Sequence, residues 1–161
     1  MTHGDQSGRL EAKDFSYNAE EVWDYFKDTA NLAGKPKIFI FQACRGSRKE
    51  EGVGVLQSGG QRGLIIPSHA DYLMVYSCFE GYSSYIDPNH GSWFIQDFCK
   101  DLNEYAFTED MLSILTHTMR RAAYTRCYET EGNGNKTDRL LQMPAFSSTL
   151  TKLLYFYDTS S

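Results

Sequence analysis

The chain lacks any closely spaced cysteine pair from which a scaffold could be built. Its four thiols, Cys44, Cys78, Cys99 and Cys127, fit neither a CxxC metal site nor a dense disulfide framework. No apolar run approaches the roughly 20 residues of a membrane span. The polar start Met-Thr-His-Gly-Asp-Gln cannot serve as a signal peptide. Positive charge is also short. The formal net charge is −5, which disfavours nucleic acid and anionic membranes as partners. No internal repeat is present. Together these absences point to a cytoplasmic, reducing setting in which the thiols stay free. The 161 residues suffice for one domain with a real core.

What is present reads as strands alternating with helices. Asn18 with Glu21 three residues on is a capping-box pattern, and Val22, Tyr25 and Phe26 follow at helical spacing until Gly34-Lys35-Pro36. Lys37 to Phe41 is a short β-branched and aromatic run, expected to be a strand buried on both faces. Residues 45 to 63, rich in Gly, Ser, Gln and charge, read as an exposed loop. Asp71 to Ser77 predicts a second buried strand. Ser92 is placed to cap a helix through Leu102, and Thr108 to cap another carrying the apolar stripe Met111, Leu115, Met119 and Ala122. Arg120, Arg121 and Arg126 near its end read as a solvated helix terminus. Residues 129 to 139 read as a loop, and Ser148 to Tyr157 as a last strand. This alternation predicts an α/β fold around an open, largely parallel sheet.

Ligands in such sheets bind beyond the carboxyl ends of the strands. The strand ending at Phe41 delivers Gln42-Ala43-Cys44-Arg45-Gly46 to that edge. A thiol there is placed for reaction, whereas most free cysteines are simply small buried hydrophobes. The pentapeptide, with a histidine some distance upstream, matches a known cysteine-protease signature. His3, followed by Gly4, is the only histidine upstream of Cys44.

On these residues the chain resembles the caspases. Thr2-His3-Gly4 looks like their catalytic histidine motif, and Lys37 to Gly46 like their nucleophile strand and loop. Asp71 to Ser77, Gly91 to Gln96 and Leu150 to Tyr157 are similar to small-subunit segments, in the family's order. The resemblance implies a caspase-like three-layer sandwich lacking the N-terminal strands. Residues 1–50 would be the end of a large subunit, 51–66 an intersubunit linker and 67–161 a small subunit. It implies hydrolysis of protein substrates after Asp, with Cys44 as nucleophile, His3 as its base and the backbone N–H groups of Gly4 and Cys44 as oxyanion donors. Gln42, Ser84, Tyr85 and Ile86 would line the substrate site. No metal or organic cofactor is implied. A homodimer, or a heterodimer with another caspase, would form through the C-terminal run Thr149 to Tyr157.

Three departures stand out. Ile86 occupies the place of an arginine that pairs with the substrate aspartate, and isoleucine offers no donor. From Arg45 through Ala70 there is no Asp at which the linker would be cut; Glu50 and Glu51 are poorer candidates. Met1 lies two residues before His3, so the strand ending at Phe41 is expected to present an open apolar edge and the isolated chain to fold poorly. These departures support a rival reading, a caspase-like decoy that modulates an active relative. A third, an unrelated flavodoxin-like or hydrolase-like domain, leaves the histidine and later blocks unexplained.

Overall fold

The computed structural model describes residues 3–4, 9–27, 29–45, 69–131 and 137–157. The side chains of His3, Ala30, 128–131 and 137–139 lie outside that description, as do most of the loop expected over 45–63 and the 51–66 linker. Strands β1 (His3–Gly4), β2 (Arg9–Glu11) and β3 (Ser16–Asn18) form a small antiparallel sheet in that order. The capping box holds: Glu21 accepts the Asn18 N–H at 3.1 Å and opens helix α1 (Ala19–Asp24). That helix is only six residues long. It does not run on to Gly34, because turns and a short 3-10 segment, Ala30–Leu32, take over.

Strand β4 (Lys37–Phe41) then runs parallel to β5 (Tyr72–Tyr76), with Lys37 opposite Tyr72 and Phe41 opposite Tyr76. A small ribbon of β6 (Ile86–Asp87) and β7 (Gly91–Ser92) follows. Gly91 has φ +87°, a backbone region that glycine enters without steric cost. Helix α2 (Trp93–Tyr105) starts as expected, with Ser92 Oγ accepting the Ile95 N–H at 3.2 Å. Helix α3 (Met111–Thr125) is capped by Asp110, not Thr108. The Asp110 carboxylate accepts from Leu112 N–H and Ser113 Oγ, while Thr108 Oγ1 turns back to the Tyr105 carbonyl.

Two further expectations are corrected. The polar stretch from residue 129 is part of a hairpin, β8 (Tyr128–Glu131) against β9 (Thr137–Leu140). The last strand is β10 (Ala145–Ser148), antiparallel to β5, with Ala145 opposite Tyr76. Thr149 to Tyr157 is not a strand; its hydrogen bonds go elsewhere. Thr149 brackets Asp71 and Tyr72, Thr151 N–H and Oγ1 bond the Asp71 carboxylate at 3.0 and 2.6 Å, and the Leu154 carbonyl accepts the Met111 N–H. These contacts hold Asp71 at φ +63°, which is unfavourable for a residue with a Cβ. They also keep its carboxyl below the usual range, chiefly through the Thr151 hydroxyl.

The expected three-layer α/β sandwich is present, built on a central sheet of order β10-β5-β4. One face of β5, Leu73 and Val75, packs on Phe94, Phe98, Met111 and Leu115 of α2 and α3. The other face stacks Tyr72 on Phe39 and Tyr76 on Phe41, with Trp23 and Phe26 from the α1 side against the two phenylalanines. Strand β4 is not buried on both faces. Ile38 and Ile40 remain 38% and 41% exposed, because α2 and α3 cover β5 and stop short of β4. The arginines of α3 are not merely solvated either. Arg126 donates to both oxygens of buried Asp97 at 2.7 and 3.0 Å, and Arg121 pairs with buried Asp101. Both guanidiniums are held above their ordinary range by those carboxylates. A buried carboxylate demands such a partner. No helix among the described residues is long and apolar enough to cross a membrane.

Candidate active site

The parallel pair β4–β5 ends at Phe41 and Tyr76, and both chains then bend over the same edge of the sheet. Cys44 lies three residues beyond that edge. Its Sγ accepts the Ser84 N–H at 3.3 Å and donates toward the Ser84 carbonyl at 3.5 Å. The thiol therefore faces the 82–86 segment and is only partly buried. This is the position that the topology reserves for ligands, at the carboxyl ends of the strands.

The loop carrying Cys44 is held from both sides. Ser77, directly after β5, accepts the Ala43 N–H at 3.2 Å and donates to the Ala43 carbonyl at 3.0 Å. Beyond the cysteine, the Arg45 N–H donates to the Tyr82 carbonyl at 2.9 Å and Gly81 N–H to the Arg45 carbonyl at 2.7 Å. The Arg45 guanidinium lies 4.0 Å over the Tyr76 ring and 3.5 Å from Glu80. Cys78 sits under this loop, its Sγ 3.3 Å from the Ala43 carbonyl and 3.2 Å from that of Tyr82. Burial pushes the Cys78 thiol up to about 11, so it stays protonated and inert at neutral pH.

The remaining predicted residues gather around the same point. Gln42 is buried, donating from Nε2 to Ser84 Oγ at 2.8 Å and accepting from Ser92 Oγ. Ser92 thus binds Gln42 and caps α2 at once. Ile86 pairs in the β6–β7 ribbon with Ser92, the residue that binds Gln42, and is 51% exposed. Tyr85 packs its ring against Trp93 at 5.4 Å and gives its N–H to Gln142 Oε1 at 2.7 Å.

The strand His3–Gly4 also reaches this edge. A Cβ built on Gly4 would lie 1.7 Å from the Cys44 carbonyl oxygen and 2.8 Å from its carbon. Any side chain at position 4 would clash with the main chain of Cys44, so glycine is what allows the approach. His3 is the next residue in that strand, paired with Glu11; its side chain lies outside the described structure.

The structure thus brings Gly4, Gln42, Cys44, Ser84, Tyr85 and Ile86 into one neighbourhood. Sequence reasoning missed four residues of it: Ser77, Cys78, Ser92 as a partner of Gln42, and Gln142. Ser77 ends a predicted strand and Cys78 directly follows it, and the carboxyl-edge rule was signal enough to find them. Gln142 carries no local signal, because only the pairing of β10 with β5 brings it there.

Known proteins resemble this chain along almost its whole length. The model of the caspase domain matches residues 1–155. The chain is 38% identical to caspase-1 of Drosophila melanogaster over 169 residues, covering 98% of this chain and 51% of that protein. It is 36% identical to caspase-3 of Mesocricetus auratus, covering 98% of this chain and 57% of that one. The crystal structure of caspase-1 from Spodoptera frugiperda superimposes with a TM-score of 0.79 at 35% identity, over 99% of this chain and 62% of that one. The chain spans about half the length of the curated relatives it matches. With the domain model covering residues 1–155 and relatives more than 30% identical over nearly the whole chain, the chain belongs to the caspase family.

Proposed function

We propose that this chain carries the reacting groups of a cysteine endopeptidase that cleaves proteins on the carboxyl side of aspartate, in apoptosis or related regulatory proteolysis. The observation that carries this reading is the seat of Cys44. Its sulfur stands at the carboxyl edge of β4 and β5 against the Ser84 main chain, while Gly4 packs on its carbonyl. That contact brings His3, one residue away, to the same edge.

In this reading the Cys44 sulfur attacks the scissile carbonyl carbon, giving up its proton to the His3 imidazole. The carbonyl oxygen becomes an oxyanion, bound by the N–H groups of Gly4 and Cys44; one such donor is typically worth about 3 kcal/mol. The C–N bond then breaks as the imidazolium protonates the leaving amine, leaving a thioester on Cys44. Water, deprotonated by His3, attacks the thioester and restores the thiol. No metal or organic cofactor takes part. The segments 1–50 and 67–161 act as parts of the large and small subunits, joined by the 51–66 linker. The pairing expected through Thr149 to Tyr157 cannot use that run as an edge strand, because it is not a strand; in this reading dimers, with a second copy or another caspase, form instead on the outer edge of β10, where the described residues supply no neighbour.

Ile86 favours a second reading. It pairs with Ser92, which binds Gln42, at the position where the family resemblance implies an arginine for the substrate carboxylate, and an unpaired buried charge is costly. A chain with an intact Cys44 and a weakened aspartate pocket could act as a decoy on an active relative. The full-length protein and its Cys44→Ala variant separate the two on peptides ending in Asp. Cleavage lost on substitution establishes the protease, and Ile86→Arg should then raise it. Absence of cleavage in both, with altered activity of an active caspase on mixing, establishes the decoy.

A further inference from the structure

Gln142 belongs to none of the segments that the sequence marks as functional, yet it closes a ring of hydrogen bonds around Cys44. Its side chain is buried, and both ends of the amide are used. Nε2 donates to the Ser77 carbonyl at 2.8 Å, and Oε1 accepts the Tyr85 N–H at 2.7 Å. Ser77 in turn holds both backbone groups of Ala43 through its hydroxyl. Tyr85 follows Ser84, whose N–H reaches the Cys44 sulfur. The circuit therefore runs from Cys44 through Ala43, Ser77, Gln142 and Tyr85 to Ser84 and back to Cys44. Gln142 is its only member from the C-terminal part of the chain, 65 residues from Ser77 and 57 from Tyr85.

We propose that Gln142 is a positioning residue, which sets the distance between the loop carrying Cys44 and the segment whose Ser84 amide meets its sulfur. The chemistry suits the task. A primary amide carries a donor and an acceptor on one planar group, so it can tie a carbonyl of one segment to an N–H of another. Buried main-chain groups left without those partners would rearrange to find others. If Gln142 is replaced, the Tyr85 N–H loses its acceptor and the Ser84 amide no longer stays opposite Cys44. The assignment rests on Cys44 being the reacting group of the proposed protease.

The test follows alkylation of Cys44 by iodoacetamide in the full-length protein, read on the Cys44 peptide by mass spectrometry, together with amide hydrogen exchange. In Gln142→Met, alkylation should slow by about tenfold, the scale of one lost buried hydrogen bond. The amides of Ser84 and Tyr85 should lose protection while those of β5 keep theirs. Gln142→Glu retains an acceptor for the Tyr85 N–H, so Tyr85 should stay protected and Cys44 should react faster than in the methionine variant. An unchanged Cys44 rate in Gln142→Met overturns the assignment. Loss of β5 protection in both variants also overturns it, since Gln142 would then be a stabilising residue of the fold as a whole. If the wild-type protein cleaves no peptide, the protease reading fails, while the alkylation and exchange results still decide the role of Gln142.

Discussion

Strands β4 and β5 lie side by side in parallel and read almost alike, Lys-Ile-Phe-Ile-Phe and Tyr-Leu-Met-Val-Tyr, yet they end in different environments. Leu73 and Val75 of β5 are fully buried under α2 and α3. Their register partners Ile38 and Ile40 stay more than a third exposed and are not among the residues packed on that core. On the opposite face Tyr72 and Tyr76 of β5 stack on Phe39 and Phe41 of β4, which Phe26 and Trp23 meet from the α1 side. The difference teaches that an apolar run records how much burial a strand can use. What arrives to cover it is decided elsewhere in the chain.

The sharpest break in this comparison comes from the helices that cover β5. Arg126→Ala removes the guanidinium that binds both oxygens of Asp97 and leaves a buried carboxylate alone. It should cost about 3–5 kcal/mol, read from denaturant midpoints. Next comes the paired substitution on one sheet face. Leu73→Ala, in the core beneath α2 and α3, should cost about 3 kcal/mol. Ile38→Ala, its register partner, should cost about 1 kcal/mol or less, because much of that side chain already meets water. Equal losses at the two positions would refute the contrast.

The smallest effect concerns the turn leading into β5. Thr151 keeps the Asp71 carboxyl below its usual range when folded. A depressed folded value means that this contribution is present above the ordinary carboxylate range and drains as pH falls through the lowered value. Thr151→Val should therefore flatten the acid limb of the stability curve and leave its neutral region less changed. Acid titrations followed by circular dichroism would show it. An unchanged acid limb would remove Asp71 as its cause.

Much of this was legible from local chemistry. The Asn18–Glu21 box, the Ser92 cap and the two central strands depend on neighbours within a few residues, and they were found. The errors lie where a distant partner chose. Thr108 and Asp110 are both fair caps, and Asp110 took the role because its carboxylate reaches Leu112 and Ser113. Thr149 to Tyr157 has the composition of a strand, but Asp71, Tyr72 and Met111 claim several of its polar groups. Arg121 and Arg126 look like ordinary surface cations until Asp101 and Asp97, about one turn apart on α2, are found buried beneath them.

The amino-acid order by itself determined the family, the strand that presents Cys44 and the glycine beside His3, because each is written in contiguous residues whose chemistry is local. Only the tertiary structure decided that Ile38 stays exposed, that Gln42 is shared between Ser84 and Ser92, and that Gln142 closes the ring around the thiol. Those outcomes depend on strand register and helix placement, which join residues dozens of positions apart and leave no periodic trace in the chain.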